Sequence, residues 1–80
     1  MLEDLKNAKK VVGIKQLRRA LADNTAKTVF LADDADPALT EPIRLTCKEK
    51  NVPCISVCSM RQLGTACGIA VGAAAAAIVA

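Results

Sequence analysis

The sequence predicts an α/β sandwich in three layers, with a four-stranded mixed sheet held between helices. Three observations carry that expectation. Helix-patterned and strand-patterned stretches alternate along the chain, the arrangement of elements packed in layers around one core. One run, Thr28-Val29-Phe30-Leu31-Ala32, is β-branched and aromatic with no charge, the signature of a buried strand. The chain has 80 residues and a single aromatic, Phe30, so it forms one domain, residues 1–80, whose small core is filled by Leu, Ile, Val, Cys and many Ala. Such side chains suit thin, closely packed layers.

Taken in order, Leu2, Leu5 and Ala8 recur at helical spacing between charged residues, which predicts a short amphipathic helix over residues 2–9. Val11 to Gly13 reads as a short strand. The second helix runs from Ile14 to Asp23 and stops before Asn24, a residue that tolerates the left-handed conformation at a helix end. After the Thr28–Ala32 strand, Asp36 is placed to cap a third helix and Pro37 is preset for its first position. Leu39, Ile43, Cys47 and Lys50 mark that helix to about residue 50, with Pro42 tolerated if it falls in the first turn. Asn51-Val52-Pro53 breaks the chain, and Cys54 to Val57 is the next strand. Ser59-Met60-Arg61-Gln62 has the Ser-x-x-Gln spacing of a capping box, so the fourth helix starts at Met60. Cys58 and Leu63 are spaced for a hydrophobic staple across that cap. Gly68 ends the helix.

The tail admits more than one structure. From Leu63 to Ala80 there is no charge, and Gly64, Gly68 and Gly72 repeat at every fourth position, as in membrane-helix interfaces. Against a membrane span, half the run is alanine, glycines interrupt it, and it is short for a bilayer. Residues 73–79 could also form an alanine helix by propensity. The expected element is a buried central strand over residues 73–79, because small side chains let helices sit close on both faces.

Charge is placed rather than spread. The chain carries a formal +3, yet Lys6, Lys9, Lys10, Lys15, Arg18 and Arg19 fall within fourteen residues that contain no acid. On a helical wheel Ile14, Leu17 and Leu21 fall on one side and Lys15, Gln16 and Arg19 on the other. Gly13 stands at the helix entrance, where the lack of a Cβ admits close approach of an electron-rich partner to the free N–H groups; glycine also simply ends strands. One aromatic excludes a base-stacking platform of several exposed rings. Histidine is absent, and no Gly-x-Ser-x-Gly, phosphate-binding loop or paired-carboxylate motif is present, so enzymatic chemistry has little to stand on and no cofactor is expected. Cys47, Cys54, Cys58 and Cys67 form no Cys-x-x-Cys pair, and the N-terminus carries acid where a signal peptide needs base. They read as small apolar core residues in a reducing cytoplasm rather than as a disulfide framework or metal site.

Three segments now carry a resemblance: Gly13-Ile14-Lys15-Gln16-Leu17-Arg18-Arg19, Asp33-Asp34-Ala35-Asp36-Pro37, and Ser59 to Ile69 (Ser-Met-Arg-Gln-Leu-Gly-Thr-Ala-Cys-Gly-Ile). With these at matching separations, the chain resembles, over nearly its whole length, the kink-turn-binding ribosomal protein family of the archaeal large-subunit seven-Ae type, and among its members the compact bacterial YbxF-like proteins. The resemblance implies a three-layer α/β/α fold that binds a kink-turn, an RNA bulge flanked by sheared G·A pairs and sharply bent. It implies that the second helix enters the major groove at the bend and reads guanine edges, while an apolar loop before the fourth helix covers an unstacked base. Lys15, Gln16 and Arg19 fall where archaeal members carry Asn, Glu and Lys, and the Lys-Gln pair is similar to that of YbxF-like proteins. Val57, Cys58, Ser59 and Met60 match the loop, although Val57 and Met60 read equally well as partly buried core. The implied RNA-binding set is Lys10, Gly13, Ile14, Lys15, Gln16, Arg18, Arg19, Val57, Cys58, Ser59 and Met60. The implied protein is a monomeric, non-membrane RNA binder with the ribosome as one host. The competing reading from the residues is an adaptor whose basic segment meets protein or anionic lipid and whose tail inserts. A cysteine-based metal protein is a third.

Overall fold

The computed structural model describes residues 2–80, with side chains from Leu5 onward. In chain order the elements are α1 (Leu2–Asn7), β1 (Lys10–Val12), α2 (Ile14–Ala22), β2 (Ala26–Ala32), α3 (Pro37–Lys50), β3 (Cys54–Val57), α4 (Met60–Cys67) and β4 (Ala75–Val79). The strands order as β1-β4-β2-β3. β4 runs antiparallel to both neighbours, pairing Ala76 with Val12 on one side and with Phe30 on the other, while β2 and β3 are parallel. The sheet is therefore mixed, and the alanine strand lies inside it.

Alternation along the strands splits the core in two. Phe30, Ala32, Val57 and Ala76 face Leu5 of α1 and Leu63 and Cys67 of α4. Val29, Leu31, Ala75 and Ala77 face Leu17 and Leu21 of α2 and Ile43 and Cys47 of α3. Period-two side-chain direction supplies both faces from the same strands. Ala75, Ala76 and Ala77 are fully buried, so β4 is a strand because two helical layers close over it, against the helical preference of alanine.

The capping residues act as their spacing predicts. Asp36 Oδ1 accepts from Ala38 N at 2.9 Å, Ser59 Oγ accepts from Gln62 N at 3.0 Å, and Gly68 takes the left-handed position with φ 80°. Asn24 is left-handed as well, at φ 58°.

Several expectations are corrected. α1 ends at Asn7, and β1 is shifted back by one residue, which leaves Gly13 as the residue before α2. β4 starts at Ala75: Ala73 N is turned away to Met60 O, and Ala74 touches the sheet only through its O, which accepts from Ala32 N, while residue pairing with β2 stops at Leu31 and Ala75. On α3 the buried stripe is Thr40, Ile43 and Cys47, and Leu39 is 47 % exposed: the helix lies rotated from the face that Leu39 marked. Pro42 lies inside that helix, beyond its first turn, on the solvent side where water can take the donor's place at the Ala38 carbonyl. Cys58 is exposed, so the cap of α4 lacks the packed partner expected for Leu63.

The cysteines divide accordingly. Cys47 and Cys67 are buried, Cys54 is half-buried and Cys58 is exposed. Burial first, and the neighbouring Cys54 thiol second, push Cys47 from 9.0 up to about 11. The raised value means that the folded state holds the proton longer. The Cys47 contribution to stability is complete below the ordinary value of 9.0 and is lost as pH rises toward about 11. At pH 8 an alkylating reagent is expected to modify Cys58 quickly and Cys47 only after denaturation, as read by peptide mass spectrometry; equal rates in the native protein would contradict this packing.

Candidate nucleic-acid interface

The C-terminal ends of β1, β2 and β3 and the start of β4 meet at one end of the sheet, and α2, α3 and α4 all begin there. Each helix start exposes N–H groups without an intrahelical acceptor, together with the positive end of its dipole. Two of these starts are closed. Asp36 caps α3, and Ser59 caps α4, whose first amide, Met60 N, also donates to Asp34 Oδ1 at 2.7 Å. The start of α2 is open. Gly13 supplies no side-chain cap, its first turn holds no acid, and the amides of Ile14, Lys15 and Gln16 have no partner among the described residues. This end is the one suited to an anion or an electron-rich base edge.

Gly13 is held at φ 106°, a left-handed value that disfavours any side chain, by Gly13 N donating to Ala75 O at 2.8 Å. A Cβ there would stand 2.8 Å from Gln16 Oε1, so the Gln16 carboxamide folds back over the glycine. Lys15, Gln16 and Arg19 are exposed, and Ile14 packs into the core beneath them with Leu17 and Leu21. Among the described residues none of the α2 cations is in an ion pair, and Glu41 with Arg44 makes the single salt bridge.

At the same end of the sheet, over the start of α4, lies an apolar surface. The loop from α4 to β4 crosses α4 with Ile69 37 % and Val71 71 % exposed, next to Met60 at 36 %. Hydrogen bonds tie these pieces to α2: Ala73 N donates to Met60 O at 2.9 Å, and Ala75, two residues on, receives Gly13 N. Glycines permit the crossing, since a Cβ on Gly64 would collide with the Val71 carbonyl and one on Gly72 would lie 3.1 Å from Met60 Cβ.

A model of the ribosomal protein L7Ae/L30e/S12e/Gadd45 family matches residues 1–80. The chain belongs to that family. It is 49 % identical over 75 residues to an RNA-binding protein of Geobacillus sp. strain WCH70, covering 94 % of this chain and 92 % of that one. The RNA-binding protein YbxF of Geobacillus stearothermophilus is 47 % identical over 74 residues, with 92 % and 90 % covered. Among solved structures, the Giardia lamblia 15.5kD RNA binding protein superposes with a TM-score of 0.90 at 28 % identity, over 99 % of this chain and 70 % of that one.

The structure separates the residues that the sequence grouped. Gly13, Lys15, Gln16, Arg19 and Met60 belong to the open end or its immediate flank, with Ile14 beneath. Val57 is buried among Phe30 and Leu63, so its side chain supports the loop rather than facing out. The Ser59 hydroxyl is occupied by its cap, and Cys58 is exposed beside it. Arg18 turns instead to the groove between α2 and α3, a hollow of about 300 Å³ that it lines with Pro42, Thr46 and Lys50. Lys10 points to the α1 side, where its Nζ reaches Lys6 O at 3.4 Å. Two contributors were missed: Asp34, which ties the β2–α3 turn to α4, and the apolar loop of Ile69 and Val71. The charge-free run with its spaced glycines was the available signal for that loop, but it reads equally well as a membrane segment.

Proposed function

We propose that this chain is a non-enzymatic, single-domain RNA-binding module that recognises kink-turns, with ribosomal RNA as one host. The observation that carries the reading is the uncapped, acid-free start of α2 at Gly13, with exposed Lys15, Gln16 and Arg19 along that helix and the apolar Met60–Val71 surface at the same end of the sheet. Arg donates to guanine O6 and N7, and Gln both donates and accepts. A regular A-form major groove is too narrow for a helix, so such a reader needs RNA that is bent open. Exposed apolar side chains beside it suit a base thrown out of the stack. The names of the relatives, all RNA-binding proteins, agree with this class of partner. The module acts as a monomer in the cytoplasm. No helix among the described residues is long and apolar enough to cross a membrane, and the tail that suggested a membrane adaptor is divided among the end of α4, a loop and a central strand.

The test is a titration of the chain against one kink-turn and a copy whose sheared G·A pairs are replaced by Watson–Crick pairs at unchanged length and phosphate count. A preference on the order of a hundredfold or more for the kinked RNA is expected, with log affinity falling against log salt at a slope of about −2 to −3. Arg19→Ala should cost about 1–3 kcal/mol on the kink-turn and little on the straight duplex. Equal affinity for both RNAs would reduce the chain to a general polyanion binder.

A further inference from the structure

Lys9 and Lys10 are adjacent in sequence, and composition treats them alike. The sheet does not. Val11 packs into the α2 and α3 layer and Val12 into the α1 and α4 layer, so alternation sends Lys9 with Val11 and Lys10 with Val12. Lys9 accordingly lines a hollow of about 280 Å³ beside α2, whose walls include Gln16, Arg19, Asp23 and Thr25 and whose apolar lining includes Val11, Ala20 and Val79. The Lys9 backbone is fixed, since its carbonyl accepts from Val79 N at 2.9 Å. Two cations thus face one hollow with a single side-chain carboxylate, and neither is in an ion pair among the described residues.

We infer that this hollow is a nucleotide subsite, in which Lys9 takes a backbone phosphate of the strand whose base edge meets Gln16 and Arg19, with the apolar lining under the sugar. The inference rests on the RNA-binding reading above and adds to it a positioning cation and the path of one strand, which leaves the bend along β1 and the end of β4. Lys10, on the other face of the sheet, takes no part.

The experiment titrates Lys9→Ala, Lys10→Ala and the unaltered chain with a fluorescent kink-turn RNA at several salt concentrations, with thermal melts to show that each variant is folded. Lys9→Ala is expected to lose on the order of tenfold in affinity at low salt and to flatten the log–log salt slope by about 0.7 to 0.9, the signature of one lost phosphate contact. Lys10→Ala should change the affinity less than about twofold and leave the slope unchanged. Equal effects of the two substitutions, or a slope unaltered by Lys9→Ala, would overturn the subsite. The kinked-versus-straight preference of the unaltered chain reports separately on the functional reading, because the Lys9 slope is measured on any RNA that the chain binds. Absence of RNA binding would remove both.

Discussion

Ala76→Asp is expected to leave the chain unfolded at room temperature. Ala76 is fully buried inside β4, paired with Val12 on one side and Phe30 on the other, and clustered with Leu5 and Leu63. The side chains clustered with it are apolar and offer a carboxylate no hydrogen-bond partner, and the backbone groups of β4 and its neighbours are committed to the sheet. Burying an unpaired carboxylate costs several kcal/mol even after relaxation and protonation. The larger side chain must also displace closely packed neighbours, for a further 1 to 3 kcal/mol or so. A domain of this size holds only about 4 to 12 kcal/mol in total. Circular dichroism should show no cooperative melt, whereas Ala76→Gly should melt cooperatively with a loss of about 1 kcal/mol. A native-like melt for the aspartate variant would place β4 wrongly. Ile78→Asp is expected to be milder, since Ile78 is only half-buried near the end of the strand.

The three evenly spaced glycines are expected to respond very unequally. A Cβ on Gly64 would run into the Val71 carbonyl and crowd Gly72 Cα, both backbone atoms that give way only if the whole α4–β4 loop moves. Gly64→Val should therefore cost at least the 1 to 3 kcal/mol typical of overpacking, and more to the extent that the loop lifts from α4. Because that loop carries Ile69 and Val71, RNA affinity should fall in the fraction that remains folded. Gly68→Ala meets open space and bears only the strain of its φ of 80°, about 1 to 2 kcal/mol. Urea midpoints for the two variants decide the matter, and a Gly64 variant as stable as the Gly68 one would remove the close crossing from the account.

That contrast shows where the sequence stops. A glycine every fourth position is one signal, yet Gly64 admits a crossing backbone, Gly68 turns the helix end and Gly72 clears Met60. Local chemistry was legible wherever a residue acts on its own neighbours. Asp36, Ser59, Gly68 and Asn24 do what their spacing predicts, because caps and left-handed ends are settled within a few residues. The order of elements and the burial of the alanine strand were legible too, through periodicity and the need for small side chains between two helical layers. The open, acid-free start of α2 followed from Gly13 and the cations after it.

The order of the elements, the capped helix ends and the helix that carries the charge were therefore written locally in the residues, while the ends of α1, β1 and β4 were not. Which cations share a face was decided only in the tertiary structure: Lys9 joins Gln16 and Arg19, while Lys10 and Arg18 are turned elsewhere by strand alternation and by the packing of α3. So were the rotation of α3 that exposes Leu39 and buries Thr40, the bond from Met60 N to Asp34, and the crossing of α4 by Val71 at Gly64. The physical reason is common to all of these. Each depends on a contact between segments many residues apart, and the energy of such a contact exists only once the layers have closed, so no local pattern of residues records it.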